Sequence, residues 1–281
     1  MTERPSILKK IFDAKRRRFE TEMAARTPED IALLKQIAGD IAEDREPFRF
    51  SEALRRKDRV NIIAEFKRAS PSKGIIEGDA DPAWKTVDYE KAGAAAVSVL
   101  TEEDHFLGSI EDLRRVRSAV GIPILRKDFI FDPFQLHEAR FYGADAVLLI
   151  AAMLDDETMS ELMRTADSLG LDALVEVHDR VELDRAKALG AQLIGVNNRD
   201  LNTFEVSLDH SRELIRHRPE GALMISESGI SSPEQIAELR ELGFDGFLIG
   251  EALMAKEGEK NKMDRIFRMG KQEAENKKHC N

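Results

Sequence analysis

Short apolar runs alternate with longer stretches of helical pattern from about residue 60 onward, and this alternation limits the possible folds most strongly. The eight runs are centred on Ile63, Ser98, Leu125, Leu148, Val175, Gly195, Ile225 and Leu248. Most of them are continuously apolar, which is typical of parallel strands that are buried on both faces. Eight successive strand–helix units predict an α/β fold of the (β/α)8 type, a TIM barrel, over residues 59–281.

An open, doubly wound sheet is the alternative fold for such an alternation. Eight evenly spaced units suit a closed barrel better, and no Gly-x-Gly-x-x-Gly sequence follows the first run, as a dinucleotide-binding sheet prefers. The intervening helices have clear limits. Ser232-Pro233 opens one of them and Gly243 closes it, which are the usual residue types for a helix start and a helix end.

Residues 1–58 differ from the rest, because they are highly charged and contain no run that is typical of a strand. Ile7, Ile11 and Phe12 form one apolar stripe at helical spacing, and a second stripe follows at residues 31–37. Thr27-Pro28 before two acidic residues is typical of a helix start. We predict a helical extension packed on the barrel. From about residue 256 the sequence is charged, which predicts a tail ending in a frayed helix.

Composition excludes several classes of protein. The chain has 281 residues, is 42% hydrophobic and contains no apolar run near the length of a membrane span, so we expect no membrane contact. The formal net charge of −10 argues against generic nucleic-acid binding, which needs a basic surface. Cys280 is the only cysteine, so no disulfide forms within the chain. The charged N-terminus has no signal-peptide pattern, and we expect a cytoplasmic protein.

Polar side chains collect where the predicted strands end, and no comparable cluster precedes the strands. These residues are Glu65 and Lys67, Lys127, Glu176, Asn197 and Arg199, and Glu227, after the first, third, fifth, sixth and seventh strands. In a barrel these ends form one rim, where active sites of this fold lie. Residues two apart, such as Glu65 and Lys67, share a strand face. Charges that face a core must pair or meet a charged ligand, so the rim is a candidate active site.

Glycines in the last two units indicate a phosphate site. Ser228-Gly229 ends the seventh strand, and Gly250-Glu251 follows the eighth. Barrels often bind phosphate there, because glycine lets an oxyanion approach backbone N–H groups. We expect a helix to start after Gly250, the Glu251 side chain to turn away, and Ser70 to close the site. The histidines lack the spacing of metal ligands, so we expect no metal. For His178 we expect a structural or solvated role rather than a catalytic one.

Seven sequence motifs together resemble the indole-3-glycerol phosphate synthase family of tryptophan biosynthesis. They occupy residues 63–74, 98–102, 123–130, 174–178, 194–201, 226–230 and 247–254, in that order along the chain. The resemblance implies a carboxy-lyase on a TIM barrel that uses no cofactor and no metal. Its substrate would be 1-(2-carboxyphenylamino)-1-deoxyribulose 5-phosphate, and its products indole-3-glycerol phosphate, carbon dioxide and water.

The resemblance also implies catalytic roles. Lys127 would be the general acid at the ketose carbonyl oxygen. Lys67 would pair with the substrate carboxylate or act as the acid in dehydration. Glu176 would be a base or would stabilise the developing cationic nitrogen. Glu65 would orient the two lysines. We further expect a buried lysine beside another ammonium to have a lowered pKa, which suits proton transfer.

The remaining matches concern substrate binding. Asn197 and Glu227 would contact the substrate hydroxyls, and Arg199 would support Glu176 or the rim. The phosphate would be held by Ser70, Ser228, Gly229, Gly250 and Glu251. The aromatic ring would lie in a slot formed by Phe129, Leu148, Leu201 and Leu248. We expect a monomer, with other enzymes of the pathway as possible partners.

Two other functions fit the same barrel. Phosphoribosylanthranilate isomerase is a phosphate-binding barrel that uses a cysteine on the first strand, where this chain has Glu65 and Lys67 instead. A non-catalytic phosphosugar-binding protein is the alternative outside the enzymes. Such a protein would need no acid–base set like Lys67, Lys127 and Glu176.

Overall fold

The structure is a computed structural model that describes residues 7–200, 203–254 and 266–267. Its strands are β1 (Ile62–Phe66), β2 (Ala69–Ser70), β3 (Gly74–Ile75), β4 (Ala96–Leu100), β5 (Ile124–Lys127), β6 (Ala146–Ile150), β7 (Asp172–Val177), β8 (Leu193–Asn197), β9 (Leu223–Glu227) and β10 (Gly246–Ile249). Its helices are α1 (Ile7–Ala25), α2 (Pro28–Asp44), α3 (Arg49–Leu54), α4 (Pro82–Ala92), α5 (Ile110–Ala119), α6 (Pro133–Phe141), α7 (Asp156–Ser168), α8 (Arg180–Ala188), α9 (Asp209–Leu214) and α10 (Pro233–Leu242).

Eight parallel strands close into a barrel in the order β1-β10-β9-β8-β7-β6-β5-β4. Closure occurs at β1, where Ile63 pairs with Leu248 of β10 on one side and with Ala96 of β4 on the other. Each predicted apolar run lies in one of these strands. The prediction of a TIM barrel with an N-terminal helical segment is therefore confirmed, and the open sheet is wrong. The predicted C-terminal tail falls mostly outside the described residues.

The structure differs from the sequence prediction in two places, directly after the first strand and in helix α2 of the extension. The polar segment after β1 forms a small antiparallel hairpin, β2–β3, in which Ser70 pairs with Gly74. Gly74 has a φ of 65°, a left-handed conformation that glycine adopts without steric cost. In α2, Leu34 is buried as expected, whereas Leu33 from the same predicted stripe is 56% exposed. That stripe is therefore narrower than the sequence pattern suggested.

The strands bury side chains on both faces, which explains their continuous apolar sequences. One core lies inside the barrel and includes Ile63, Leu125 and Leu174. A larger core lies between the outer strand faces and the surrounding helices. In the described part of the chain, no helix combines the length and the apolar character needed to cross a bilayer.

The N-terminal helices cover both ends of the barrel. Ile11 and Phe12 of α1 pack in the same core as Phe129, which follows the carboxyl end of β5. At the opposite end, α3 buries Phe50 and Leu54 completely, and Asn61 donates a hydrogen bond of 2.7 Å to the Leu54 carbonyl. The extension is thus part of the barrel's core rather than an appendage.

A buried ion pair fixes α1 to the rim. Lys15 is 5% exposed, and its Nζ lies 3.0 Å from Asp128 and 2.9 Å from Glu103. We expect Lys15→Met to lower the free energy of unfolding by about 3 kcal/mol, because the buried Asp128 loses one of its two cations and keeps only Arg126. Urea unfolding measures this change. Lys9→Met, which removes an exposed ion pair on the same helix, should change it by less than about 0.5 kcal/mol. Equal effects of the two variants would contradict the prediction.

Candidate active site

A cavity of about 600 Å³ opens at the carboxyl ends of the strands. It is lined by most of the residues that the sequence singled out: Glu65, Lys67, Ser70, Lys127, Phe129, Leu148, Glu176, Asn197, Arg199, Ser228, Gly229, Leu248, Gly250 and Glu251. Glu227 lies beneath this lining, where it contacts Lys127. Leu201 lies outside the described residues. Residues far apart in the sequence thus converge on one pocket, because all eight strands end on the same side of the barrel.

Glu65 and Lys67 enter the cavity from β1 and pair with each other. Lys67 Nζ donates to Glu65 Oε1 at 2.6 Å. Their alternation along the strand places both on the inner face. Gly250, which follows β10, leaves room for them, since an added Cβ there would overlap Glu65 Oε1. The glycine after the last strand is therefore required by the side chains of the first.

Lys127, at the end of β5, lies between two carboxylates from other strands. Its Nζ is 2.6 Å from Glu227 Oε2 and 3.4 Å from Glu176 Oε2. Burial alone would lower the pKa of Lys127, but the charges of Glu227, Glu176 and Glu65 outweigh burial and raise it. The expectation of a lowered pKa is wrong, because three carboxylates surround the ammonium group. Lys127 is therefore charged at neutral pH and holds a proton that it can donate.

The two carboxylates around Lys127 have different environments. Burial would raise the pKa of Glu176, but the charge of Lys127 and the contact with His178 outweigh burial and lower it. For Glu227, burial raises the pKa more than Lys127 lowers it, and the charge of Glu176 raises it further. In the described structure Glu227 Oε1 is buried without a hydrogen-bond partner. Glu176 is therefore the ionised member, while Glu227 takes up a proton more readily.

The backbone at the end of β9 forms the candidate phosphate site. Ser228 and Gly229 have φ values of 65° and 77°, so two successive residues are left-handed. For serine this conformation is uncommon, and such outliers concentrate at functional sites. Backbone N–H groups around such turns form concave sites for anions. Position 229 disfavours a side chain, since an added Cβ would overlap the side chain of Val206.

Glu251 departs from its predicted orientation. Glu251 lines the cavity, and its carboxylate forms ion pairs with Lys73 Nζ at 2.9 Å and with Arg199 Nη2 at 2.8 Å. Of the two roles that the resemblance implied for Arg199, support of Glu176 or of the rim, the ion pair with Glu251 fits the second. The prediction that Glu251 turns away is wrong because two cations from neighbouring loops attract it. Residues 251–254 form a turn rather than the first turn of the expected helix.

The other end of the cavity is apolar. Phe129, Leu148 and Leu248 line it as the sequence suggested, and α1 adds residues that the sequence analysis did not place there, Ile7, Leu8 and Ile11. The apolar stripe of α1 was visible in the sequence, but its pattern cannot distinguish packing on the barrel from lining a pocket. The cavity therefore joins an apolar wall, a central acid–base cluster and an anion site, which suits an aromatic substrate carrying a phosphate.

Comparison with known proteins decides the family. The family model for indole-3-glycerol phosphate synthase matches residues 8–266. The chain belongs to the indole-3-glycerol phosphate synthase family. It is 45% identical to the indole-3-glycerol phosphate synthase of Lachnoclostridium phytofermentans over 89% of this chain and 92% of the relative. Identity to the synthase of Koribacter versatilis is 49%, over 89% of this chain and 94% of that protein.

Solved structures support the fold of this family member. The 3-hexulose-6-phosphate synthase of Salmonella typhimurium superposes with a TM-score of 0.62 at 17% identity, covering 76% of this chain and 100% of that one. The N-acetylmannosamine-6-phosphate 2-epimerase of Clostridium perfringens gives 0.54 at 16% identity, covering 69% and 87%. At such identities the similarity concerns the barrel alone.

Gly195 of β8 offers a direct test of how tightly the synthase-family site is packed. An added Cβ would overlap Glu227 Oε1, which is buried between the strands. We expect Gly195→Ala to displace Glu227 from Lys127 and to lower kcat about 10²-fold, since small misplacements are costly in active sites. Initial rates measure the change in kcat, and melting temperatures show whether the variant is still folded.

Gly39→Ala is the matched control for that variant. Gly39 lies within α2, and an added Cβ meets nothing within 4 Å. It should leave kcat unchanged and increase stability by about 0.5–1 kcal/mol, because alanine favours the helix. Normal turnover of Gly195→Ala would show that the position of Glu227 is not critical.

Proposed function

We propose that this protein closes an indole ring: it converts 1-(2-carboxyphenylamino)-1-deoxyribulose 5-phosphate to indole-3-glycerol phosphate, carbon dioxide and water. Membership of the synthase family supports this activity. The observation that carries it is the contact of Lys127 with Glu176 and Glu227 in a cavity that has an apolar wall and the left-handed backbone of Ser228 and Gly229. The reaction belongs to tryptophan biosynthesis.

The substrate is held at three points in this proposal. Backbone N–H groups near Ser228, Gly229 and Gly250 bind its phosphate, with Ser70 opposite them. Lys67 binds the carboxylate on the aromatic ring, and the apolar wall formed with α1 binds the ring itself. Fixing both ends folds the flexible ribulose chain against the ring, and such orientation supplies a large part of the rate enhancement.

Lys127 starts the chemistry by protonating the ketose carbonyl oxygen. The ring carbon that carries the carboxylate attacks the carbonyl carbon, so a carbon–carbon bond forms as the oxygen takes the proton. Positive charge develops on the nitrogen, where the ionised Glu176 stabilises it. The bond to the carboxylate then breaks, carbon dioxide leaves, and its electron pair neutralises the nitrogen. A positioned general acid of this kind contributes about 10²–10⁴-fold.

Loss of water completes the ring. The new hydroxyl accepts a proton and leaves, and a proton is lost from the neighbouring carbon to give the indole. Lys67 and Glu65 form a hydrogen-bonded acid–base pair at 2.6 Å, which suits this step. Asn197, which lines the cavity, contacts the substrate hydroxyls, whereas Glu227 lies beneath the lining and acts through Lys127, which it keeps in place.

Indole fluorescence tests the proposal directly. The purified protein should increase it when the carboxyphenylamino substrate is added, with release of an equal amount of carbon dioxide. Binding of substrate without product would instead identify a phosphosugar-binding protein. Formation of the carboxyphenylamino compound from phosphoribosylanthranilate would identify the isomerase, although this chain has Glu65 in β1 and Lys67 directly after it where that family uses cysteine.

We propose that the enzyme is a cytoplasmic monomer. Its residues 1–58 form the helical extension, and its residues 59–281 form the barrel with its charged tail. The proposed division is structural and not functional. Ile7, Leu8 and Ile11 of the extension line the cavity, so the barrel alone would lack part of the ring site. Its partner is the small phosphorylated substrate, and its surface, at a net charge of −10, is unsuited to nucleic acid.

A further inference from the structure

We infer that His178, held by Glu182, is a positioning residue that keeps Glu176 ionised and directed into the cavity. The inference rests on the proposed function, because it concerns a group that would act on the reacting nitrogen through Glu176. His178 does not belong to the cavity lining, so its ring acts through Glu176 and not on substrate. No role for this side chain follows from the strand-end pattern that identified the other residues.

Glu182 fixes the histidine from outside the barrel. His178 follows the last residue of β7, and Glu182 lies on the first turn of α8. Glu182 Oε2 accepts the backbone N–H of His178 at 2.8 Å and lies 3.0 Å from His178 Nδ1. One carboxylate oxygen therefore contacts the histidine twice, which sets the orientation of the ring.

The opposite ring nitrogen faces Glu176. His178 Nε2 lies 3.3 Å from Glu176 Oε1, while the other oxygen of Glu176 faces Lys127. The side chains of His178 and Glu176 are only 14% and 4% exposed, so solvent screens the pair weakly. Glu176 thus has Lys127 of β5 at one oxygen and His178, the residue after its own strand, at the other.

The charges that face this histidine all favour its protonated form. Glu176 approaches from β7 and Glu182 from α8. Burial lowers the pKa of His178, but the contact with Glu182 and the charges of Glu176 and Glu182 outweigh burial and raise it to about 10. The ring is therefore an imidazolium near neutral pH. Its positive charge lowers the pKa of Glu176, so removing it should raise that pKa.

Two substitutions at His178 test the contacts of its two ring nitrogens separately. His178→Asn places an amide near Nδ1, so it retains the contact with Glu182 and loses the one with Glu176. We expect kcat to fall about 10-fold or more, with KM changed far less, because Glu176 is misplaced and not removed. The acid limb of the kcat profile should move to higher pH by about one unit or more, as expected when a carboxylate loses its cation.

His178→Gln places an amide near Nε2 and should recover part of kcat. Because glutamine is neutral, the acid limb should stay shifted. His217→Asn, at an exposed position, is the matched control and should match the wild-type protein in rate and pH profile. A purely structural role would change melting temperature and active fraction but would leave the pH profile of the folded enzyme in place.

Glu182→Gln keeps the inference testable if His178→Asn does not fold. It removes one charge behind the histidine and should shift the acid limb in the same direction by a smaller amount. Wild-type turnover with unchanged pH profiles in the His178 and Glu182 variants would overturn the inference alone. A wild-type protein that forms no product from the carboxyphenylamino substrate would overturn the proposed function, and the inference with it.

Discussion

Lys127→Ala is expected to lower kcat by at least about 10³-fold while the substrate still binds. The variant removes the proton donor at the carbonyl oxygen, and it also leaves Glu176 and Glu227 facing each other without the ammonium between them. A loss of this size corresponds to about 4 kcal/mol of transition-state stabilisation. Substrate contacts through Lys67 and the backbone near Ser228 remain, so KM should change far less than kcat.

Single-turnover fluorescence and equilibrium binding of the substrate separate these two effects. Lys187→Ala, at an exposed position of α8, is the control and should behave as the wild-type protein. The pKa of Glu176 should rise in Lys127→Ala, because Lys127 is the largest influence that lowers it. Turnover within tenfold of wild type would exclude Lys127 as the acid and would point to Lys67.

The barrel and the composition of its rim could be predicted from sequence because both depend on local pattern. A continuous apolar run such as residues 146–150 predicts a strand buried on both faces, and the residue after such a run must lie at a strand end. Strand ends meet on one side of a barrel. Strand-end position alone therefore predicts that Glu65, Lys127 and Glu176 share one site.

Features that depend on several distant residues could not be predicted. The direction of the Lys127 pKa shift results from three carboxylates on three different strands, and the expectation of a lowered pKa considered only burial and a second ammonium. The orientation of Glu251 depends on Lys73 and Arg199, which approach from two other loops. The left-handed backbone of Ser228 likewise has no sequence signal, since serine rarely adopts it.

The contact between His178 and Glu182 did have a sequence signal. The two residues are four apart, at the junction between a predicted strand and a predicted helix, where a side chain on the first helical turn can fold back. Asp179 is adjacent to the histidine in sequence, but its side chain caps α8 by accepting the Glu182 N–H at 2.8 Å. Both acids fit the histidine by spacing alone, and the geometry of the junction decides between them.

Glu176→Gln is expected to lower kcat about 10³-fold, because glutamine keeps the shape of the side chain and loses its charge. Without that charge, the nitrogen that becomes positive during ring closure has no neutralising partner, and a site of low dielectric makes the loss large. Glu157→Gln, an exposed glutamate on α7, should leave kcat unchanged. Initial rates of indole formation measure both variants.

The same variant has a second, independent signature at His178. The pKa of His178, raised to about 10 in part by Glu176, should fall towards its ordinary value of 6.5 when that charge is removed. The pKa of Glu227 should fall as well, since Glu176 repels its ionised form. Titration of the histidine ring by NMR follows the first change without reference to catalysis. If kcat fell while the His178 titration stayed at its wild-type position, Glu176 would be needed for the chemistry but would not be the residue that keeps this histidine charged.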